Sequence, residues 1–305
     1  FLIKEVQSQD INYSQYMLSP LYVNPAFATF DSYFYIAGQY RKQYSTPGPG
    51  YFTPSINIIK PFLNDKKTER WCGAGLHFYD DQTSTFPQVR RLGGGGTYAY
   101  NLIIGKGHNL SLGVTASYNQ LQLSYDAYSS NMQYDSKTGY DPNIANGENL
   151  GSNISVNYFD LASGISYVRE DTNQRILYYA GISSFHLLEP NQSVIGKSER
   201  IPRLYVFQAG IKAFQSGCFT IFPEVLAKFN KNRFAWTVGA KFDYDLNEKT
   251  KISLMPRYTH ENQISAGVML SWNDIFLMGN YDYPTFEFKD KISPAGAFEL
   301  AIGYK

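Results

Sequence analysis

No stretch of this 305-residue chain approaches the roughly eighteen consecutive apolar residues of a membrane-spanning helix, which excludes a helical membrane protein. Charge is also sparse. Asp, Glu, Lys and Arg make up 17% of the residues, against about 25% in an ordinary soluble domain. They nearly cancel, leaving +1, so there is no electrostatic ground for nucleic acid or for an acidic partner. Only two cysteines occur. Cys72 falls in an alternating stretch and Cys218 in a tight turn, without metal-ligand spacing, and they read as two unrelated thiols. The histidines His77, His108 and His260 sit in separate segments, which gives no zinc site, and no cofactor is expected. The chain opens on Phe1 with neither an initiator Met nor a recognisable signal peptide, and the expectation is a processed or trimmed form.

What the chain does have is aromatic residues and alternation. Phe, Trp and Tyr reach 16%, and the mean hydropathy is −0.33. A low mean hydropathy with many aromatics suits a wall whose lipid-facing and lumen-facing residues alternate and whose rims carry aromatic girdles. The clearest case is 234–245. Phe234, Trp236, Val238, Ala240, Phe242 and Tyr244 share one face; Thr237, Gly239, Lys241, Asp243 and Asp245 share the other. The segments 205–213 and 219–229 repeat the pattern, as does 297–305, with Phe298, Leu300, Ile302 and Tyr304 outward and Glu299 inward. Strands are expected near 32–43, 51–62, 70–80, 92–104, 109–123, 159–169, 175–187, 203–215, 219–229, 233–245, 250–258, 263–271, 275–283 and 296–305. That is about fourteen, an even number as single-chain bacterial barrels have. The fold class expected is all-β, a transmembrane antiparallel barrel in the outer membrane of a Gram-negative bacterium.

Connection lengths test this independently. After even-numbered strands they are short, as periplasmic turns should be: 63–69, 105–108, 170–173, Gln215 to Cys218, 246–249 and 272–274. After odd-numbered strands most are long: DDQTSTFPQVRR, Ser124 to Tyr158, 188–202 and 284–294. Those at 230–232 and 259–262 are short exceptions.

Residues 1–31 do not alternate and form a separate N-terminal segment ahead of the barrel at 32–305. They contain Gln9-Asp10, Ser14-Gln15-Tyr16-Met17 and Pro20-Leu21-Tyr22-Val23-Asn24-Pro25-Ala26-Phe27-Ala28. This closely resembles the opening of the PorP/SprF family of the Bacteroidetes type IX secretion system. Thr97-Tyr98-Ala99-Tyr100 with Leu110-Ser111-Leu112-Gly113, and Tyr281-Asp282-Tyr283 with Gly296-Ala297-Phe298-Glu299-Leu300 and Tyr304-Lys305, resemble its central and closing segments. Phe298 stands where the family usually has His, and no His-based role carries over. The resemblance implies a non-enzymatic outer-membrane barrel that partners, docks or anchors a large secreted surface protein, such as a gliding adhesin, through that cargo's C-terminal domain. It also implies other type IX components as partners, for some members a periplasmic peptidoglycan-binding protein. The barrel itself adds outer-membrane lipid or lipopolysaccharide.

Such a lumen is too wide to be filled by wall side chains but narrow enough for one segment. The expectation is that residues 1–31 fold into it or across its periplasmic mouth. Ser14, Gln15, Tyr16, Met17, Tyr22, Asn24 and Pro25 are then the candidate plug or partner contacts, with Pro20 and Pro25 interrupting regular structure. Lys212, Glu224, Lys228, Lys241, Asp243 and Arg257 form a candidate polar network in the lumen. Its mixed signs favour pairing over ion selection. Gly93 to Gly96 permit a close backbone approach and are candidates to face the N-terminal segment, a barrel kink being the alternative.

Three other readings are weighed. Ser184 and His186 share an outward face at a spacing that suits a nucleophile and base, without a visible orienting residue; any two polar residues at a strand's end would look the same. Asp126, Asp135, Asp141, Asn143, Asn146 and Glu148 crowd one loop. They lack EF-hand spacing, and a solvated loop is the plainer reading. A diffusion or nutrient channel of the fatty-acid-transporter type is the alternative function.

Overall fold

The computed structural model describes residues 11–43, 50–64, 69–83, 88–124, 133–135, 139–141, 153–193, 199–231, 233–260, 263–285 and 296–305. Fourteen wall strands form one closed antiparallel sheet in which each strand pairs with its neighbours in sequence. They are β1 (Tyr35–Gln43), β2 (Tyr51–Leu63), β3 (Arg70–Thr83), β4 (Gln88–Gly105), β5 (His108–Ser124), β6 (Asn153–Glu170) and β7 (Ile176–Phe185). Then follow β8 (Leu204–Ile211, continued by Phe214–Ser216), β9 (Phe219–Asn230), β10 (Arg233–Asn247), β11 (Thr250–Thr259), β12 (Gln263–Trp272), β13 (Ile275–Pro284) and β14 (Ala297–Tyr304). β1 closes on β14 in the register Gln39 to Ala301. The wall therefore has no free edge between its first and last strands that could take up a partner's strand. A partner binding by edge addition has no site at that seam.

The period of two places every second side chain inside. On β12, Ser265 and Met269 are buried while Ile264, Val268 and Leu270 are exposed to the membrane side. Outward aromatics gather in two belts. Phe62, Trp71, Tyr100, Tyr178, Tyr244, Trp272 and Tyr304 lie toward the short-turn end; Tyr40, Phe78, Tyr118, Phe159, Phe229, Phe234 and Phe298 lie toward the other. Their apolar rings and polar edges suit the two membrane–water interfaces. The short turns close by local chemistry. Gly107 and Gly217 adopt φ of 69° and 57°, and Asp171 accepts the backbone N–H groups of Asn173 and Arg175.

The structure revises several boundaries. β3 runs to Thr83 and β4 starts at Gln88, so most of the stretch read as the loop DDQTSTFPQVRR is strand. β6 begins at Asn153 rather than near 159. Polar residues there keep the alternation, but with the two faces exchanged, and sequence reading took them for loop. The segment 203–215 is not one strand. At Lys212 and Ala213 the backbone N–H groups reach Leu177 O (2.6 Å) and Ile221 O (3.0 Å), forming a bulge.

Residues 16–29 form three short 3₁₀ turns, Tyr16–Leu18, Pro20–Tyr22 and Pro25–Thr29. Pro20 and Pro25 open turns rather than merely interrupting structure, because a fixed φ and a missing N–H cost nothing at a first helical position. Asn24 caps the third turn, its Oδ1 accepting from Ala26 N at 2.9 Å.

Candidate functional site: the barrel lumen and its outer rim

Residues 13–30 are largely buried against the inward-facing side chains of the wall. Turns this short leave many backbone polar groups unpaired, and the wall supplies partners. Glu299 on β14 accepts Ser14 N at 2.7 Å and Gln15 N at 3.2 Å. Arg41 on β1 pairs with Glu299 and with Asp282 on β13 (2.6 Å), and Ser14 Oγ donates to Asp282 at 2.7 Å. Gln15 Nε2 donates to Asn280 Oδ1 (2.9 Å) and Met255 O (3.1 Å), while its Oε1 accepts from Arg257 Nε at 3.0 Å. Arg257 in turn binds Glu224 at 2.7 Å, and its guanidinium lies 4.2 Å from the centre of the Tyr16 ring.

Farther along, Ser19 Oγ donates to Gln39 (2.7 Å) and accepts from Asn57 (3.0 Å). Asn24 Nδ2 donates to Ile165 O at 3.0 Å, and Ser183 Oγ to Val23 O at 2.6 Å. Thr29 Oγ1 donates to Ser111 Oγ at 2.7 Å. Tyr22 meets His77 edge-on at 4.9 Å. Met17 accepts the Tyr179 hydroxyl at 3.7 Å, and Tyr179 stacks on Phe222.

Close approach depends on glycines that sequence reading did not single out. A Cβ on Gly73 would stand 2.0 Å from Ala28 O; on Gly113, 2.3 Å from Ala26 N; on Gly164, 2.0 Å from Asn24 Oδ1. Pro25 thus rests directly on wall backbone. The Gly93 to Gly96 run does something else: a Cβ there would meet wall side chains, Asn119 for Gly93 and the His77 ring for Gly95. Those glycines make room for the rings of Tyr79 and His77 rather than facing the N-terminal segment. Gly113→Val is expected to displace residues 24–26 while β5 still pairs. Limited proteolysis should then cut the N-terminal segment roughly tenfold faster, with the barrel core uncut. An unchanged pattern would mean the close contact carries no weight.

The lumen network assembles only in part. Glu224 and Arg257 join Gln15; Lys241 pairs with Asp243 at 3.0 Å, which also binds Ser253; Lys228 reaches Asn12 at 3.0 Å. Lys212 stands apart in the bulge of β8, where its amine meets Gln215 at 3.2 Å. The bulge interrupts the register of β8 with β9 at this residue. Arg41, Asp282 and Glu299 make the densest cluster. Their signal in the sequence was inward phase alone, which names no partner.

The Ser184–His186 pair does not share a face. Ser184 points outward beside Ile182, lining an apolar groove of ≈ 480 Å³ with Leu112, Val114 and Tyr205. His186 lies beyond the end of β7 at φ 57°, its Nδ1 2.6 Å from Asp160 Oδ2 on the inward face. The chain turns there, so spacing measured along a strand does not apply. Of the acidic loop, Asp126, Asn143, Asn146 and Glu148 lie outside the described residues, as does the Asp135 side chain. Among the described residues no group of three His, Cys, Asp or Glu side chains is placed to hold a metal ion.

β4, β5 and β6 are 18, 17 and 18 residues long, against 10 for β7 and 8 for the main part of β8. Their extra length projects as a crown past the aromatic belt at Tyr118 and Phe159. There the faces exchange character. Outward positions carry Arg90, Gln120, Gln122, Ser155 and Asn157, whereas inward positions are mainly apolar, Val89, Leu121, Leu123, Ile154 and Val156, with Arg91 opposite Leu121. A wall that has left the lipid has no reason to keep apolar side chains outside. The apolar face therefore looks over the barrel mouth.

A closed even-stranded barrel with two aromatic belts and short turns at one end is an outer-membrane β-barrel. The chain belongs to the type IX secretion system membrane protein PorP/SprF family, whose model matches residues 5–304. No curated protein matches it. In fold it is similar to the CymD monoaromatic hydrocarbon channel (TM-score 0.54, 10% identity, covering 96% of this chain and 92% of that one). It is also similar to the P. putida toluene transporter TodX (TM-score 0.50, 9% identity, 92% and 90% covered). At such identities the likeness is one of architecture.

Proposed function

We propose that this barrel is closed by residues 11–31 and serves the type IX system as a docking partner for a secreted surface protein, not as a pore. The observation that carries the reading is the ring of polar contacts to that segment, from β1, β2, β5, β6, β7, β11, β13 and β14. A transport path would need those contacts broken at each passage. The docking surface on this reading is the inner face of the crown, where the half-buried Val89, Leu123 and Val156 take apolar side chains of the cargo's C-terminal domain over the sealed mouth.

The test is copurification of the secreted partner with the barrel from native membranes. Leu123→Glu with Val156→Glu is expected to reduce recovery roughly a hundredfold, by placing two carboxylates in an apolar contact, with barrel abundance unchanged. Equal recovery would end the crown assignment. A steady large current through the intact protein in a planar bilayer would favour the diffusion-channel reading instead.

A further inference from the structure

We infer that the N-terminal segment threads the barrel from the outside inward, so that among the described residues Asn12 opens on the extracellular face. A segment that merely capped the periplasmic mouth would meet the wall only near the short turns. Instead the contacts span the barrel from one mouth to the other. Asn12 meets Lys228, two residues from the extracellular end of β9. The Tyr13 hydroxyl donates to Thr53 O, at the third residue of β2 after its extracellular loop. Ser14 meets Asp282 and Gln263, at the extracellular ends of β13 and β12.

Ser19 then meets Gln39 and Asn57 halfway down their strands. Thr29 meets Ser111, four residues into β5 from its periplasmic turn. Ser32 accepts from Arg70, the first residue of β3 at the periplasmic end, and that arginine is held by Glu170 at the last residue of β6. From there the chain enters β1 at Tyr35, also at the periplasmic end. Some contacts depart from this order: the Tyr35 hydroxyl reaches up to Leu18 O at 2.6 Å, Tyr22 packs back against Tyr13 and Tyr79, and Val23 and Asn24 meet Ser183 and Ile165.

The sides themselves follow from the turn lengths, since outer-membrane barrels keep their short turns in the periplasm. Asn12 is exposed, whereas Tyr13, Gln15 and Tyr16 are buried, so the opening lies at residue 12. A chain delivered from the periplasm cannot push its amino end out through a finished wall lined by these contacts. β1 and β14 must therefore close around the segment, and closure brings Arg41 to Glu299 across the seam. The consequence is that Asn12 is accessible at the cell surface, beside the crown and independent of whether a cargo docks there.

Cysteine accessibility decides the matter. Cys218 is exposed in the periplasmic turn between β8 and β9, and Cys72 is buried. A membrane-impermeant maleimide should label the native protein at Cys218 only after the outer membrane is permeabilised. Asn12→Cys in a Cys218→Ser background should label on intact cells, roughly tenfold above the Cys218→Ser protein alone. A short epitope inserted ahead of Ile11 should bind antibody on intact cells, with heat-modified gel mobility reporting a folded barrel. Labelling of the residue-12 cysteine only after permeabilisation, or not at all, would overturn the inference. So would a folded, tagged barrel that binds no antibody on intact cells.

Discussion

Removal of residues 11–31 is expected to turn a barrel that passes almost no current into one with a steady conductance, at least roughly tenfold above the intact protein. Eight-stranded barrels are filled by their own side chains, and sixteen-stranded ones leave an aqueous channel. Fourteen strands lie between, with a lumen that the wall alone does not fill. With the segment gone, Arg41, Asp282, Glu299, Glu224 and Arg257 would all line that lumen, and water would solvate them at once. The opening is therefore a wet pore rather than a collapsed wall. Planar-bilayer recording of refolded protein measures it, with heat-modified mobility confirming the barrel. Should the deletion not fold, Gly113→Val offers the milder route, since it pushes Pro25 and Ala26 off the wall. A folded deletion variant with unchanged conductance would show that the segment does not close the lumen.

Glu299→Ala carries the second large effect. One carboxylate accepts from Ser14 N, Gln15 N and Gln39 Nε2 and pairs with Arg41, all of them buried or nearly so. Alanine leaves the guanidinium with Asp282 as its charged partner beside Ser14 Oγ, and removes the acceptor of two backbone donors. Breaking a buried pair from one side costs about 3–5 kcal/mol, because the remaining charge stays desolvated. The temperature at which gel mobility changes should fall by roughly 10 °C. Glu299→Gln keeps an acceptor oxygen and should lose about half as much. Arg41 and Glu299 face each other across the closing seam, as direct partners in the β1–β14 register. The same variant should therefore slow barrel closure in refolding. A melting temperature equal to the native one would mean that the cluster does not clamp the segment.

Several features failed to be legible for identifiable reasons. The Lys212 misplacement came from a bulge, which keeps the residue order but ends the alternation. The Gly93 to Gly96 run stood out by composition, yet single glycines at 73, 113 and 164 make the close contacts. A run is conspicuous in a sequence; a lone glycine opposite a proline is not. The crown parts of β4 and β6, 88–91 and 153–158, read as loop because their outer face is polar, although their inner face keeps the period, whereas 109–123 reads as strand. His186 shows the converse, a residue whose spacing from Ser184 meant nothing once the backbone turned at φ 57°.

The sequence by itself determined the wall: strand number, neighbour order, inward and outward faces, and which end carries the short turns. Each of these is a local property, fixed by side-chain alternation within a strand or by the few residues of a turn. Only the tertiary structure decided what the inward residues do. Ser14 and Glu299 are 285 positions apart, and Gln15 and Arg257 are 242. No periodicity links a segment of 3₁₀ turns to fourteen strands. Its path through the lumen, and the direction in which it runs, depend on which buried donors and acceptors can meet once the wall has closed.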